Sequence, residues 1–188
     1  MFKYSKIMPY PINIKKKDLR MAKFIITQFG GPDGELSAAL RYFSQKFSMP
    51  DDRGRALLND IATEELGHAE MIATIVNSLI KDASIKEIKE AGLEEYYVSH
   101  GKGIYACDQN GIPLNALAFQ STSDVFTNLS EDMAAEEKAR ATYENLIDLT
   151  EDKDLINILL FLRQREIVHF NRFKELYDIY KAELKQKY

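Results

Sequence analysis

The chain has 188 residues, 45% hydrophobic and 29% charged, so it is long and apolar enough for a folded domain and is not intrinsically disordered. Its net charge of −4 gives no reason to expect binding to nucleic acid, and its single cysteine, Cys107, excludes a disulfide framework and a cysteine-based zinc or iron–sulfur site. Segment 1–18 lacks the apolar core of a signal peptide and no apolar run could span a bilayer, so we expect synthesis in the cytoplasm and no membrane partner.

The helical signals along the chain predict an all-α fold, a ferritin-like four-helix bundle in a single domain that covers residues 1–188. A preliminary helix, at about residues 17–28, ends where glycines and a proline break the helical pattern between Gly30 and Gly34. Thr150 is predicted to cap the last bundle helix. The four bundle helices are predicted at about residues 33–47, 51–81, 124–149 and 151–185.

A segment of weak helical signal, residues 82–123, separates the second and third helices. It is long for a connection between neighbouring antiparallel helices. Its length suits a crossover that runs along the bundle and leaves helices two and three parallel, as in one-crossover ferritin-like topologies. Asn110-Gly111 could instead close a small β-hairpin there, and we expect no function of His100, which lies in the same segment.

Two of the three histidines follow a glutamate by three residues, in the pairs Glu65/His68 and Glu166/His169. Positions i and i+3 share one face of a helix, so each pair aims a carboxylate and an imidazole at one point. The first pair lies on the apolar stripe of the second helix, which consists of Leu58, Ile61, Ile72, Val76 and Leu79. The second pair lies on the stripe of the fourth helix, which consists of Ile158, Leu162, Phe173 and Leu176. Buried charge is costly unless it is paired or bound to metal, so this placement favours metal ligands.

The first and third helices each supply one further glutamate. Steps of three and four residues place Glu136 on the apolar face of the third helix and the adjacent Glu137 on its polar face. In the first helix, Glu35 lies at the edge of the predicted apolar face, which consists of Leu36, Ala39, Leu40 and Phe43. Tyr42 lies two turns beyond Glu35 on the same face, where its hydroxyl could hydrogen-bond to the ligand cluster.

The predicted inward set contains four carboxylates and two imidazoles, from Glu35, Glu65, His68, Glu136, Glu166 and His169. Such a set matches the ligands of ferritin-like di-metal bundles. Four carboxylates in a low-dielectric core repel one another or take up protons, and two divalent metal ions per chain would make them tolerable. Carboxylate and imidazole donors suit manganese or iron, and the lack of thiolate argues against copper(I) and structural zinc. Alternatively, these residues form ion pairs with Arg41, Arg140 and Arg165 in a plain helical bundle.

Four segments within residues 20–180 resemble manganese catalase motifs. They read GGPDGELSAA at 30–39, TEELGHAEMI at 63–72, AAEEKAR at 134–140 and REIVH at 165–169. The Tyr10-Pro11 opening and the short length are most similar to the spore-coat (CotJC-type) members of that family. The resemblance implies an enzyme that disproportionates hydrogen peroxide to water and dioxygen.

The resemblance also implies a role for each residue of the inward set. Glu166 would stay just outside the metal coordination as the catalytic proton-transfer group. Some longer members place an arginine just before the third-helix glutamate to orient that group; here the position is Ala135, so we expect proton delivery or the openness of the site to differ. The resemblance implies five manganese ligands, Glu35 and His68 on one ion, Glu136 and His169 on the other, and Glu65 bridging both.

Two other functions remain as alternatives. A di-iron ferritin or rubrerythrin relative that oxidises or stores iron would use the same donors, and a structural coat protein could keep the fold with a vestigial metal site. The resemblance implies a location in the spore coat and spore-coat proteins as partners. Longer members embrace neighbouring subunits with a tail, whereas this sequence stops at Tyr188, so we expect a smaller or a layered homo-oligomer.

Overall fold

The structure is a computed structural model that describes residues 7–184, and within that range it is built from α-helices and two short 3-10 turns. Residue 185, at the predicted end of the fourth helix, and Tyr188 lie outside the described residues. Between residues 7 and 184, the only β-type pairing is an isolated bridge between Cys107 and Pro113. The helices are α1 (Leu19–Gly30), α2 (Glu35–Gln45), α3 (Asp52–Ile80), α4 (Ile85–Glu90), α5 (Glu94–His100), α6 (Val125–Asp148) and α7 (Lys153–Leu184).

Cross-helix contacts give the direction of each bundle helix. Arg165 on α7 pairs with Glu64 on α3. Arg172, which lies later on α7, pairs with Asp60, which lies earlier on α3, so α3 and α7 are antiparallel. A short turn after Leu149 makes α6 and α7 antiparallel as well. Helices α3 and α6 are therefore parallel, and the segment between them is the predicted crossover. These contacts confirm the all-α, ferritin-like four-helix bundle.

Aspartate caps set the starts of the long helices. The Asp51 carboxylate accepts a hydrogen bond from the backbone N–H of Gly54 at 3.0 Å, which starts α3. Asp124 accepts from Thr127 at 2.7 Å and starts α6 in the same way. Each side chain satisfies a backbone donor that has no partner within the helix.

The predicted cap of the last helix, Thr150, is wrong by two residues. Helix α7 begins at Lys153, and the Asp152 carboxylate accepts a hydrogen bond from the backbone N–H of Asp154 at 2.9 Å. The Thr150 hydroxyl instead accepts from the backbone N–H of Asp152 at 3.2 Å, within the preceding turn. Aspartate caps a helix at least as well as threonine does, so the acid nearer to the helix takes the cap.

Helix α1 belongs to the bundle and is not merely preliminary to it. The backbone N–H of Asp18 donates to the carbonyl oxygen of Leu79 at 3.0 Å, so the start of α1 lies beside the end of α3. Helices α1 and α2 both pack along α3, one after the other, with a short break between them. The interruption needs glycine at position 30, because a Cβ there would lie 2.3 Å from the backbone between Ala106 and Cys107 in the crossover.

Two hydrophobic clusters fill the bundle, one toward each end. The first cluster joins α1 to the second half of α3 and to the ends of α6 and α7 near their connecting turn; its buried members include Met21, Ile25, Ile72, Ile75, Tyr143, Leu146, Leu155 and Ile158. The second cluster joins α2 to the first half of α3 and to the far ends of α6 and α7; its buried members include Tyr42, Leu58, Ile61, Leu129, Phe173, Leu176 and Tyr180. A polar layer lies between the two clusters.

At Asn110-Gly111 the crossover makes a tight turn with an isolated bridge and not a β-hairpin of two strands. It carries the chain along the bundle, and within it the backbone N–H of Asp108 donates to the carbonyl oxygen of Ile112 at 2.9 Å, around Gly111 with a φ of +79°. His100 stacks on Tyr105, with ring centroids 4.0 Å apart. Within residues 7–184, none of the helices has the length and apolar character that crossing a membrane requires.

Candidate metal centre

The six residues of the predicted inward set meet in the polar layer between the two hydrophobic clusters. All six are at least 97% buried, namely Glu35, Glu65, His68, Glu136, Glu166 and His169. Helix α3 supplies Glu65 and His68 one turn apart, and α7 supplies the second pair in the same way. Glu136 is buried, whereas the side chain of Glu137 is 45% exposed, as the helix-face pattern predicts.

The inward residues form two overlapping groups, each of which could hold a metal ion among the described residues. One ligand atom from each member of a group lies within 4.8 Å of the others. Glu65 and Glu166 belong to both groups. The first group adds Glu35 and His68, and the second adds Glu136 and His169. Two groups that share carboxylates are able to hold a dinuclear site.

Glu65 lies at the centre of the arrangement. Its Oε2 is 2.8 Å from Nδ1 of His68, and its Oε1 is 2.8 Å from Nδ1 of His169. The carboxylates of Glu35 and Glu136 lie further out, with Glu35 Oε2 at 3.6 Å from Nδ1 of His68 and Glu136 Oε2 at 3.5 Å from Nδ1 of His169. Each half of the site therefore contains one imidazole, one of these outer carboxylates and one oxygen of the shared Glu65.

Two buried tyrosines connect the halves reciprocally. The Tyr42 hydroxyl donates a hydrogen bond to Glu136, and the Tyr143 hydroxyl donates to Glu35. Burial, followed by the nearby carboxylate charges, raises the pKa of both phenols well above its usual range, so both remain hydrogen-bond donors. The sequence predicted a contact of Tyr42 with the cluster but missed this role of Tyr143. A signal was available, because each tyrosine follows a glutamate of the set by seven residues.

The two halves also repeat in the sequence. The same interval of 101 positions separates each residue of the first half from its counterpart in the second: Glu35 and Glu136, Tyr42 and Tyr143, Glu65 and Glu166, His68 and His169. In space, each tyrosine contacts the glutamate of the opposite half. The bundle thus surrounds its polar layer with two similar sets of side chains, of which only one carboxylate, Glu65, contacts both imidazoles within 3 Å.

Replacing Tyr143 with phenylalanine is expected to lower the free energy of unfolding, because it removes the hydroxyl that donates to Glu35. The change leaves a buried carboxylate without its hydroxyl donor, which costs about 1–3 kcal/mol of unfolding free energy. Chemical denaturation of the metal-free protein measures this loss. Tyr105→Phe is the matched control, because it removes the same hydroxyl from a partly exposed ring in the crossover. An equal effect of both changes would contradict the proposed contribution of the buried hydrogen bond.

The electrostatics of the layer favour cations. Burial and then the charge of Glu65 raise the pKa of the Glu35 and Glu166 carboxyls well above its usual range. Burial lowers the pKa of both histidines, but the Glu65 charge and the hydrogen bonds to the surrounding carboxylates together outweigh it, and the net shift of the pKa is upward. These carboxyls and imidazoles therefore tend to keep their protons. Divalent cations can replace those protons and balance the negative charge of the carboxylates.

Several buried atoms of the layer have no hydrogen-bond partner among residues 7–184. They include Oε2 of Glu136 and Oε1 of Glu166, and also Oε1 of Glu65 and Nδ1 of His169, which lie 2.8 Å apart but are not aligned as a hydrogen bond. All four are metal-binding atoms by chemical type. Buried polar atoms without partners are rare in folded proteins, so these atoms fit a metal that they would coordinate. The donor set of carboxylates and imidazoles without thiolate suits manganese or iron.

The alternative of an ion-pair network finds no support in the described side chains. Arg165 pairs with Glu64, and Arg140 pairs with acids of its own helix. Arg41 lies 3.8 Å from Asp33 and donates to a backbone carbonyl of the crossover. The three guanidinium groups therefore contact other acids or backbone atoms, and none of them forms a salt bridge with the six inward residues among the described side chains.

The predicted apolar face of α2 is partly wrong. Leu40 is 39% exposed, whereas Arg41 and Gln45 are at most 1% exposed. On the facing helix, Asp132 is fully buried one turn before Glu136, and burial raises the pKa of its carboxyl well above its usual range. Arg41 donates to a backbone carbonyl of the crossover and Gln45 lies next to the Asp132 carboxyl, so buried polar contacts occupy part of the inward side of α2. The hydrophobic period of its sequence therefore locates the inward side only in part.

A narrow cleft leads to the candidate metal centre from the side of α2 and α6. It reaches Glu35, Glu136 and Glu166, and its walls include Gly34, Ala38, Ala135 and Ala139. Ala135, at the position where the resemblance implies an arginine in longer members, is 5% exposed and contributes only a methyl group to the wall. On the α6 side the cleft is therefore lined by small side chains next to Glu136, and Asp33 and Arg41 also line the cleft.

The fold and the donor set together define a ferritin-like bundle with a carboxylate–histidine dinuclear metal site. A family model described as "Manganese containing catalase" matches residues 1–187. The chain belongs to the manganese catalase family. Manganese is accordingly the metal that the two buried Glu/His groups are able to hold.

Individual relatives agree with this assignment. Protein CotJC of Bacillus subtilis is 47% identical over 187 residues, covering 100% of this chain and 98% of that protein. A probable manganese catalase of Clostridium acetobutylicum is 31% identical, covering 97% of this chain and 82% of that protein. The crystal structure of wild-type KatB, a manganese catalase from Anabaena, superposes with a TM-score of 0.85 at 34% identity, covering 95% of this chain and 80% of that one.

Proposed function

We propose that the protein is a manganese catalase that disproportionates hydrogen peroxide to water and dioxygen. The observation that carries the proposal is the pair of overlapping buried Glu/His groups that share Glu65 and Glu166. The similarity to manganese catalases along nearly the whole chain supports it. When bound, a manganese pair supplies the redox chemistry, taking two electrons from one peroxide and giving two to the next.

The proposed ligand roles follow the geometry of the polar layer. We assign Glu35 and His68 to one ion, Glu136 and His169 to the other, and Glu65 to both. The 2.8 Å contacts of the two Glu65 oxygens with the two imidazoles favour Glu65, over Glu166, as the bridge. The nearest contact of Glu166 with an imidazole is longer, 3.9 Å from its Oε1 to Nδ1 of His68.

We assign proton transfer to Glu166. Oxidation of one peroxide to dioxygen releases two protons, and reduction of the next to two waters consumes two, so the site must store protons between the half-reactions. Glu166 is buried in the cleft, and burial with the charges of Glu65 and Glu35 raises the pKa of its carboxyl well above its usual range. Its carboxyl can therefore carry one of these protons at an oxygen that an entering peroxide would meet.

Metal content and peroxide turnover, measured on the same sample, test the proposal. Protein purified from a manganese-supplemented host is analysed by plasma mass spectrometry and by oxygen release from peroxide in the presence of azide. About two manganese ions per chain with azide-tolerant oxygen release would support a catalase. Two iron ions with ferroxidase activity would favour a di-iron oxidase instead. Folded protein without stoichiometric metal would favour a structural role.

We also propose a location in the spore coat, where the protein would assemble with itself and with coat proteins. The proposal rests on the resemblance of the sequence to the spore-coat members of the family and on 47% identity to Protein CotJC. A tagged chain in the source organism tests it. Recovery of the tag in the coat fraction of purified spores would support this location, and its recovery in the cytoplasm alone would contradict it.

A further inference from the structure

Glu64 contacts both histidines on the side that faces away from Glu65. Its Oε2 lies 3.1 Å from Nε2 of His169, and its Oε1 lies 3.6 Å from Nε2 of His68. The Nδ1 atom of each ring faces Glu65 at 2.8 Å. Two consecutive glutamates of α3 therefore hold both imidazoles between them, one at each ring nitrogen.

Arg165 fixes the position of Glu64. Its Nε donates to Oε1 of Glu64 at 2.6 Å, and its Nη2 donates to Oε2 at 3.3 Å. The guanidinium group on α7 therefore hydrogen-bonds to both oxygens of the Glu64 carboxylate. The side chains of Glu64 and Arg165 are 26% and 28% exposed, so the pair closes the edge of the polar layer.

Each histidine needs the correct tautomer to act as a metal ligand. A neutral imidazole carries one N–H, and the nitrogen that binds metal must be the other one. A carboxylate at the outer nitrogen keeps the proton there and orients the ring, which strengthens the metal bond. In this structure, the Nε2 atoms lack an aligned hydrogen bond to any described residue, and the carboxylate within reach of both is Glu64.

We infer that Glu64 is a positioning residue for both histidines, which keeps the ring protons on Nε2 and leaves both Nδ1 atoms available on the metal side. Arg165 acts through Glu64 by holding its carboxylate between the two rings. The inference rests on the proposed metal site, because it concerns the loading of that site. One carboxylate, that of Glu64, would then contact the histidines of both halves at their outer nitrogens, as Glu65 contacts them at their inner nitrogens.

A simple structural bridge between α3 and α7 is the competing explanation. The chain offers a matched control for it, since Arg172 and Asp60 form another ion pair between the same two helices, at 2.6 Å, without contacting either histidine. A purely structural role of Glu64 predicts the same effects from neutralising either acid. A positioning role predicts an effect on metal binding from Glu64 alone.

The test compares Glu64→Gln with Asp60→Asn. Manganese affinity is measured by competition with a fluorescent chelator, and the thermal midpoint is measured on the metal-free proteins. We expect Glu64→Gln to weaken manganese binding about ten- to a hundredfold, with a midpoint shift no larger than that of Asp60→Asn. Arg165→Gln is expected to weaken binding by less, because the carboxylate itself remains.

Three outcomes are informative. Manganese binding by Glu64→Gln that equals that of Asp60→Asn would overturn the inference. If Glu64→Gln fails to fold, Glu64→Asp and Arg165→Gln decide the question by the same affinity measurement, and wild-type affinity in both would overturn it. A wild-type protein that binds no manganese would instead refute the proposed function, and with it this inference.

Discussion

Replacement of Glu65 with glutamine is expected to abolish manganese binding and peroxide breakdown together. The Glu65 carboxylate is fully buried, and its oxygens lie 2.8 Å from the Nδ1 atoms of His68 and His169. Glutamine has nearly the same shape, but it is neutral and would present N–H groups to one of the two halves. We expect the metal content to fall from about two ions per chain to background, measured by plasma mass spectrometry, with loss of oxygen release.

Glu137→Gln is the matched control for this change. It neutralises an acid that adjoins the site in sequence but whose side chain is 45% exposed and pairs with Arg140. Wild-type metal content and turnover are expected of it. His169→Ala should also abolish turnover, because it removes the imidazole of one half. Unchanged metal content in Glu65→Gln would contradict its assignment as the bridge between two ions.

A clear hydrophobic stripe on a helix shows which of its polar residues are buried. In α3 the apolar positions repeat with helical period on both sides of Glu65 and His68, so the sequence located both residues correctly in the interior. In α6 the apolar positions likewise separated the buried Glu136 from the exposed Glu137. A charged residue on such a stripe is informative, because hydrophobic burial alone would not place it there.

The apolar face predicted for α2 is partly wrong. Its inward side carries Glu35, Arg41 and Gln45 beside the buried Ala39, while Leu40 is exposed, so the apolar residues indicated the inward side only in part. The contact of Tyr143 with Glu35 was missed for a related reason. A helical period predicts the face on which a residue lies, but it does not specify which side chain of another helix it meets, since that depends on how the helices are packed.

The contribution of α1 was underestimated because its sequence breaks at Gly30 before the first predicted ligand. Helix α1 packs along α3, and after the break α2 begins at Glu35. The break has a consequence for the site: it lets a buried carboxylate begin a helix, where the exposed N–H groups of the first turn favour negative charge.

Replacement of Glu166 with glutamine is expected to separate turnover from metal binding. If Glu166 carries protons without binding manganese, the variant should retain about two manganese ions per chain, since glutamine preserves the packing of a fully buried side chain. Peroxide breakdown should fall about a hundred- to ten-thousandfold, because an amide cannot exchange protons with peroxide as a carboxyl can. Metal analysis and oxygen release on the same preparation measure both quantities.

The metal content of this variant also decides between two assignments of Glu166. Helix faces alone placed it in one inward set with the five proposed ligands, and the structure puts its carboxylate in both Glu/His groups. A ligand would be needed for loading, so a loss of manganese in Glu166→Gln, compared with the exposed α7 control Glu175→Gln, would make it a ligand. Retained manganese with lost turnover is the result that proton transfer requires, because only the exchangeable proton has been removed.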